Sequence, residues 1–289
     1  MGMGCVKINE IKNGNMNKVY LLDNDCDKYI IRTSRFDNSF ECKVLKFLSK
    51  HNFSCPNVIT NFRLKDKYIM LYEYLDGNNP DIFDDAFFIN LAQLLKQLHS
   101  FEHKFKYDDY FVNEENKDKF SKYYNVALKS KYLSNHKELI YKLYSDTLKL
   151  DFDELDKCLI HSDIKKENIV QNYEKLFLID FGNCYVGSRL IDIIRVIMWF
   201  FIKNHDYDYN KIMIFIDSYF EQNRMTNLEK KYINKLMIYC ILYNLLKDIY
   251  LYEKKVLPAE YIENNSINWL NALYEKEKVL KIGELIKNA

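Results

Sequence analysis

Cys158-Leu-Ile-His-Ser-Asp-Ile-Lys-Lys-Glu-Asn-Ile-Val170, followed after a turn by Lys175-Leu-Phe-Leu-Ile-Asp-Phe-Gly182, decides how this chain is read. A short apolar strand delivers His161 and Asp163 into a polar loop, Asn168 closes the loop, and an apolar return strand ends in Asp180. Two carboxylates and one amide are thereby expected to converge. Such a set suits phosphoryl transfer: one carboxylate orients an incoming hydroxyl and accepts its proton, while the amide and the second carboxylate hold Mg²⁺ ions that neutralise phosphate charge. A β-hairpin with polar ends is the plainer account. Against it stands the occurrence, in order and at hairpin spacing, of His-x-Asp-x-x-x-x-Asn and Asp-Phe-Gly.

These motifs resemble the catalytic and metal-binding loops of the protein-kinase-like fold, and the rest of the chain resembles its aminoglycoside phosphotransferase and choline kinase branch. The resemblance implies an α+β, bilobal fold. A small antiparallel β lobe with one helix, 1–76, would bind the nucleotide and end in the hinge, and a larger, mostly helical lobe, 77–289, would carry catalysis and the acceptor. Asp163 is then the catalytic residue, and Asn168 and Asp180 are the metal ligands. His161 is expected to brace the loop by hydrogen bonding, with a role as general base the alternative. Lys165 and Lys166 stay undivided: either could face a γ-phosphate or be a solvated loop charge.

Toward the N-terminus, Val6 to Ile11, Val19 to Leu22 and Tyr29 to Arg32 read as three antiparallel strands joined by polar turns. Residues 13–17 form the first turn, which has one glycine and lacks G-x-G-x-x-G; by itself it is an ordinary polar hairpin. The resemblance places it over the nucleotide phosphates, with Asn15, Val19 and Ile30 as nucleotide-binding residues. By strand alternation Arg32 shares a face with Ile30, and the resemblance gives it the α- and β-phosphates. Ser39 to His51 reads as an amphipathic helix. Its Glu41 suits the first turn electrostatically and would also fix Arg32 by an ion pair. After a further hairpin, Glu73, Tyr74 and Leu75 are the expected hinge, where adenine would bond the backbone, before Gly77-Asn78-Asn79-Pro80 breaks the pattern.

Beyond Gly77 the periodicity is helical. Asp84 or Asp85 caps a helix ending near His99, which is expected to be a structural hydrogen-bonder. The region 105–135 reads as helical but poorly punctuated, with Phe120, Tyr123 and Tyr124 as packing residues. The acidic run 151–156 reads as a solvated end, or alternatively as an attraction for a polycationic substrate. About a dozen residues separate Asp180 from Asp192, too few for a peptide-docking activation segment, and this points to a small-molecule phosphotransferase. Asp192 is expected to be structural, bracing the loop or capping its helix. Further helices are expected near 209–222, 227–250 and 259–275.

Composition agrees with a globular protein: 289 residues, 48% hydrophobic and 29% charged, with a net charge of +1. This balance disfavours nucleic acid and anionic membranes as partners. Seven scattered cysteines without C-x-x-C spacing read as buried apolar residues in a reducing compartment, and no apolar run has membrane-spanning length, so the expected location is cytoplasmic. The expected activity is ATP-dependent O-phosphotransfer, with GTP an alternative donor and Mg²⁺ required, to a small hydroxylated and cationic acceptor such as an amino sugar, which raises a role in antibiotic resistance. The alternatives are a choline, ethanolamine or homoserine kinase, a small atypical protein kinase and, from another class, a nucleotide-binding pseudokinase acting as a scaffold.

Overall fold

A computed structural model of the chain describes residues 7–11, 17–24, 26–101, 115–203, 205–221 and 224–288. Asn15, expected at the nucleotide, lies outside the described residues. The chain gathers into two compact units, one formed by Met1–Asp81 with Glu167–Cys184, the other by Ile82–Lys166 with Tyr185–Ala289.

The first unit is built on an antiparallel sheet of β1 (Lys7–Ile11), β2 (Lys18–Asp23), β3 (Lys28–Ser34), β4 (Val58–Leu64) and β5 (Lys67–Glu73), in the order β1-β2-β3-β5-β4. The turn between β2 and β3 closes on Asn24, whose Oδ1 accepts from the Cys26 and Asp27 N–H groups, the local bonding that makes Asn a turn former. Register pairs Val19 with Arg32, Arg32 with Met70, and Ile30 with both Leu21 and Tyr72. Cross-strand partners and alternate residues share a face, so Val19, Ile30, Arg32 and Met70 line one side. Helix α1 (Ser39–Lys50) lies on that side, because its Glu41 bonds Arg32, and it buries Val44, Leu45 and Leu48 at helical spacing.

The same unit includes the hairpin of β7 (Ile169–Asn172) and β8 (Lys175–Leu178). Asn78 exchanges two backbone hydrogen bonds with Gln171, at 3.1 and 2.8 Å. The chain approaches so closely here that a Cβ on Gly77, whose φ is +142°, would stand 2.5 Å from the Gln171 carbonyl oxygen. Only glycine takes both that backbone angle and that approach without strain.

The second unit is mostly helical. Asp84 caps α2 (Asp85–His99) by accepting from the Phe87 N–H at 2.9 Å. The helices α3 (Lys117–Ala127), α4 (Lys137–Thr147), α5 (Arg189–Ile197), α6 (Tyr209–Phe220) and α7 (Asn227–Glu253) follow, the last opening on a capping box of Thr226 and Glu229. Helix α7 buries Met237, Ile241 and Leu245 as well as Leu236, Cys240 and Tyr243. A helix apolar all round is a central one. Phe120 packs against Tyr144 and Tyr239, in line with the packing reading of the aromatic residues.

Three features depart from the sequence expectations. The strand β9 (Tyr185–Gly187) pairs with β6 (Cys158–Ile160), although three residues are too short to show alternation. Residues 259–275 are not one regular helix: α8 (Ala259–Tyr261) passes through a wide π turn, Ile262–Ser266, into α9 (Ile267–Tyr274). Finally, α10 (Lys276–Asn288) buries Val279, Ile282 and Ile286. Its Gly283 makes it look unhelical in sequence, yet a Cβ there would meet Asn234 Oδ1 of α7 at 1.9 Å, so the glycine allows the two helices to approach.

Among the described residues no helix is long and apolar enough to cross a membrane. The six described cysteines are free thiols, five buried and Cys26 exposed.

Candidate active site

In the first unit, Arg32 of β3 is 5% exposed and lies between two carboxylates. One of its terminal nitrogens donates to Glu41 of α1, and the other donates to Asp180 Oδ1 at 2.9 Å. Burial alone would make the guanidinium easier to deprotonate, but Glu41, Tyr72 and Asp180 outweigh it and its pKa is raised. The cation is thus permanent. Glu41 begins a helix, where an acid is favourable, and the ion pair with Arg32 is present as well; the two readings of this residue hold together.

Asp180 and Asn168 are brought to one end of the β7–β8 hairpin. The ladder pairs Ile169 with Leu178, and one further bond runs from the Ile179 N–H to the Asn168 carbonyl at 3.0 Å. Asp180 adopts a left-handed conformation, φ 62° and ψ 63°, uncommon for a residue with a side chain. Its neighbour Phe181 is fully buried and meets Phe53 edge-on, which anchors the strained turn. Asn79 was not singled out in the sequence. Its Nδ2 donates to the carbonyls of Ile169, at 2.8 Å, and Glu167, at 3.3 Å, and so holds the backbone on both sides of Asn168. The turn signal around Asn79 was visible, but nothing in its spacing named a partner almost ninety residues away.

At the expected hinge, the Glu73 N–H donates to the Asn57 carbonyl and the Tyr74 N–H to the Lys28 carbonyl. Those two donors are committed to the sheet. Leu75 makes no hydrogen bond among the described residues.

In the second unit, the loop after β6 is fixed by Asp192, the fourth residue of α5 and fully buried. Its two oxygens accept from the His161 N–H at 2.8 Å and the Ser162 N–H at 2.6 Å, and His99 Nε2 lies 3.0 Å away. Of the two structural roles the sequence allowed, bracing holds and capping does not; Ser188 occupies the N-cap position. Burial would push the Asp192 carboxyl up, but the hydrogen bond and charge of His99, with His161, hold it below the usual range. His99 is itself held by Tyr219 at 2.6 Å, the structural part expected of it. Ser162 also has a positive φ, 63°, and its N–H bond to Asp192 compensates.

Asp163 follows this braced turn. Its N–H donates to His161 Nδ1 at 3.3 Å, so that ring nitrogen accepts a loop bond, as the bracing reading requires. Lys165 Nζ donates to Asp163 Oδ2 at 2.8 Å. Burial raises the carboxyl, but Lys165, Lys247 and His161 bring it down to about 2. Lys165 also lies 5.5 Å from the ring centroid of Trp199. Trp199 belongs to a π turn, Met198–Ile202, that extends α5, and Ser266 of the second π turn donates to the buried Asp248 at 2.9 Å. Such widened turns often mark functional sites.

The acidic run is occupied structurally: Asp151 accepts from the Asp153 N–H, and Glu154 pairs with Tyr232 and Lys231. For a metal, Asn168 and Asp180 offer an amide and a carboxylate, the hard oxygen donors Mg²⁺ takes. Mg²⁺ is ordinarily held by one or two protein ligands plus phosphates and waters, so the absence of a cluster of three acids, histidines or cysteines among the described residues is compatible with this pair.

A carboxylate in a braced loop, and an amide and acid at a hairpin end beside a buried arginine, are the features expected of a small-molecule phosphotransferase, and the class is borne out by comparison with known proteins. The family model described as "Phosphotransferase enzyme family" matches residues 7–213, and the chain belongs to that family. Among solved structures it resembles an ethanolamine kinase from Plasmodium vivax (18% identity, 93% of this chain and 81% of that one, TM-score 0.70). It also resembles a choline kinase from Cryptosporidium parvum Iowa II (16%, 99% and 92%, 0.68) and a spectinomycin phosphotransferase in complex with ADP and spectinomycin (14%, 98% and 93%, 0.65). These likenesses establish a common fold. No curated protein matches in sequence.

Proposed function

We propose that the chain is an ATP-dependent O-phosphotransferase acting on a hydroxyl of a small amine-bearing molecule. The observation that carries this reading is the buried Arg32, fixed by Glu41 and Asp180 at a strained turn whose backbone is tied to Asn168. In this reading residues 1–76 bind the nucleotide and 77–289 supply catalysis and the acceptor site. Arg32 meets the α- and β-phosphates; Asn15, Val19 and Ile30 border the nucleotide. Of Glu73, Tyr74 and Leu75, the Leu75 N–H is the donor left for adenine. Asn168 and Asp180 hold Mg²⁺, which when bound neutralises phosphate charge. Asp163 orients the acceptor hydroxyl and takes its proton. GTP remains an alternative donor, and the reaction suits the cytoplasm, where ATP and reduced thiols are found.

Between amino sugars and single-ammonium metabolites such as choline, ethanolamine or homoserine, one observation favours the second. Asp151 and Glu154 of the acidic run are taken up by protein partners, while the charges acting on Asp163 are Lys165, Lys247 and His161, and Lys165 also lies over the Trp199 ring. An aromatic face suits one ammonium, and the neighbouring lysines repel a polycation. Resistance to an aminoglycoside would follow only from the other acceptor range.

The test is Mg²⁺-dependent nucleotide turnover against aminoglycosides, choline, ethanolamine and homoserine, with wild type beside Asp163→Ala. One acceptor should stimulate turnover, and the variant should lose about 10²- to 10⁴-fold in rate with nucleotide affinity retained. Failure to bind any nucleotide would overturn the reading, and nucleotide binding without stimulation by any acceptor would favour the scaffold.

A further inference from the structure

Lys165 makes the contacts that a small amino alcohol would make. Its Nζ sits 2.8 Å from Asp163 Oδ2, where a hydroxyl giving up its proton has to lie, and 5.5 Å from the Trp199 ring centroid, within range of attraction to the negative face of an indole. The ring draws a second cation as well: Lys203 Nζ lies 4.3 Å from its centroid. Trp269 meets it edge-on at 5.3 Å. The indole is therefore already a cation receptor, and both cations on it belong to the chain. Lys165 is tethered two residues from Asp163, so it competes as an intramolecular ligand that an incoming amine has to displace.

We propose that Lys165 is a specificity-determining residue, a tethered ammonium that occupies Asp163 and the Trp199 face and is displaced when an acceptor binds. The inference rests on the reading of Asp163 as the group that orients the acceptor hydroxyl. Its consequence is a choice of substrate class. An amino alcohol with one ammonium can take over the contacts that Lys165 gives up. A polycationic amino sugar adds charge beside Lys247, which already acts with Lys165 on Asp163, and beside Arg195, which acts with both lysines on Asp248. An acceptor with no positive charge gains nothing from the indole.

The experiment is a titration of indole fluorescence, which the two tryptophans of the chain, Trp199 and Trp269, report, with choline and separately with tetramethylammonium. The variants are K165M, K165Q, K165R and K203M, each with nucleotide affinity measured by calorimetry. Removing the competitor in K165M should tighten both ammonium probes by about tenfold, an amount typical of a desolvated cation on an indole. K165Q should do the same if K165M folds poorly, and K165R, which keeps the charge, should behave as wild type. Equal or weaker binding in K165M and K165Q would overturn the proposal, as would tightening by K203M alone. Loss of nucleotide affinity throughout would instead remove the phosphotransferase reading, while the ammonium titration would still decide the role of Lys165.

Discussion

Around Arg32 one buried cation lies between two carboxylates, Glu41 and Asp180; around Asp163 one carboxylate faces two lysines, Lys165 and Lys247. The first cluster carries a surplus negative charge, and its outer acid, Asp180, is about half exposed while Arg32 and Glu41 are almost wholly enclosed. That is an arrangement ready for a metal cation, with the arginine fixed in advance. The second cluster carries a surplus positive charge and keeps its carboxylate ionised down to about pH 2. A group so acidic is a weak base at neutral pH, so in the proposed reaction it would orient the hydroxyl and take its proton late in the transfer. Phosphoryl transfer tolerates this, because its loose transition state asks little of a base.

The largest effect expected in stability comes from the enclosed cluster. Glu41→Gln leaves a buried guanidinium with one half-exposed partner, and breaking a buried pair by removing one member costs about 3–5 kcal/mol. Lys165→Met breaks a pair whose side chains are 20–26% exposed, and it should cost less than about 1 kcal/mol. Urea unfolding of the two variants measures both. Equal losses would mean that the clusters do not differ in how far they depend on their partners.

An intermediate effect is expected at Asp192. Asp192→Asn preserves shape but turns an NH₂ group toward one of the three donors that the carboxylate accepts, His161 N–H, Ser162 N–H and His99. The unmade bond should cost about 2 kcal/mol. Turnover should fall about tenfold or more through misplacement of Asp163, with nucleotide affinity unchanged. If stability falls and turnover does not, Asp192 supports the fold without setting the loop.

The legibility of these regions in the sequence differs for a physical reason. The face shared by Arg32 and Ile30 follows from the strand period, the place of Glu41 in a first turn follows from the helix period, and the order of Asp163, Asn168 and Asp180 follows from a contiguous motif. Asn79 and the choice of Asp192 as brace over cap depend on hydrogen bonds across long separations, which no local pattern encodes. Strand β9 is too short to alternate, and α10 carries a glycine whose reason lies in another helix. The two π turns that place Trp199 and Ser266 look like ordinary helix in sequence, since one extra residue in a turn leaves no compositional mark.

The last effect separates two acids of the second unit by the sign of their pH dependence. Asp163 is brought down to about 2 from an ordinary 3.8, so its stabilising contribution is complete above about pH 4 and is lost as the pH falls toward 2. Asp248 is pushed up by burial to about 6, against the opposing pull of Lys247, the Ser266 hydroxyl, Arg195 and Lys165. Between about pH 4 and 6 the folded protein therefore keeps a proton on Asp248 that the unfolded chain releases, and stability declines as the pH rises through that window. Asp248→Asn retains an acceptor for Ser266 and removes the titration. The loss of stability from about pH 4 to about pH 7 should be smaller in the variant than in wild type by about 2 kcal/mol, read from chemical unfolding at a series of pH values. Parallel curves would mean that Asp248 ionises as an ordinary carboxyl and that the cations around it compensate its burial in full. The surplus positive charge assigned to the Asp163 cluster would then be shared with Asp248, and the contrast with the Arg32 cluster would narrow to a difference in exposure.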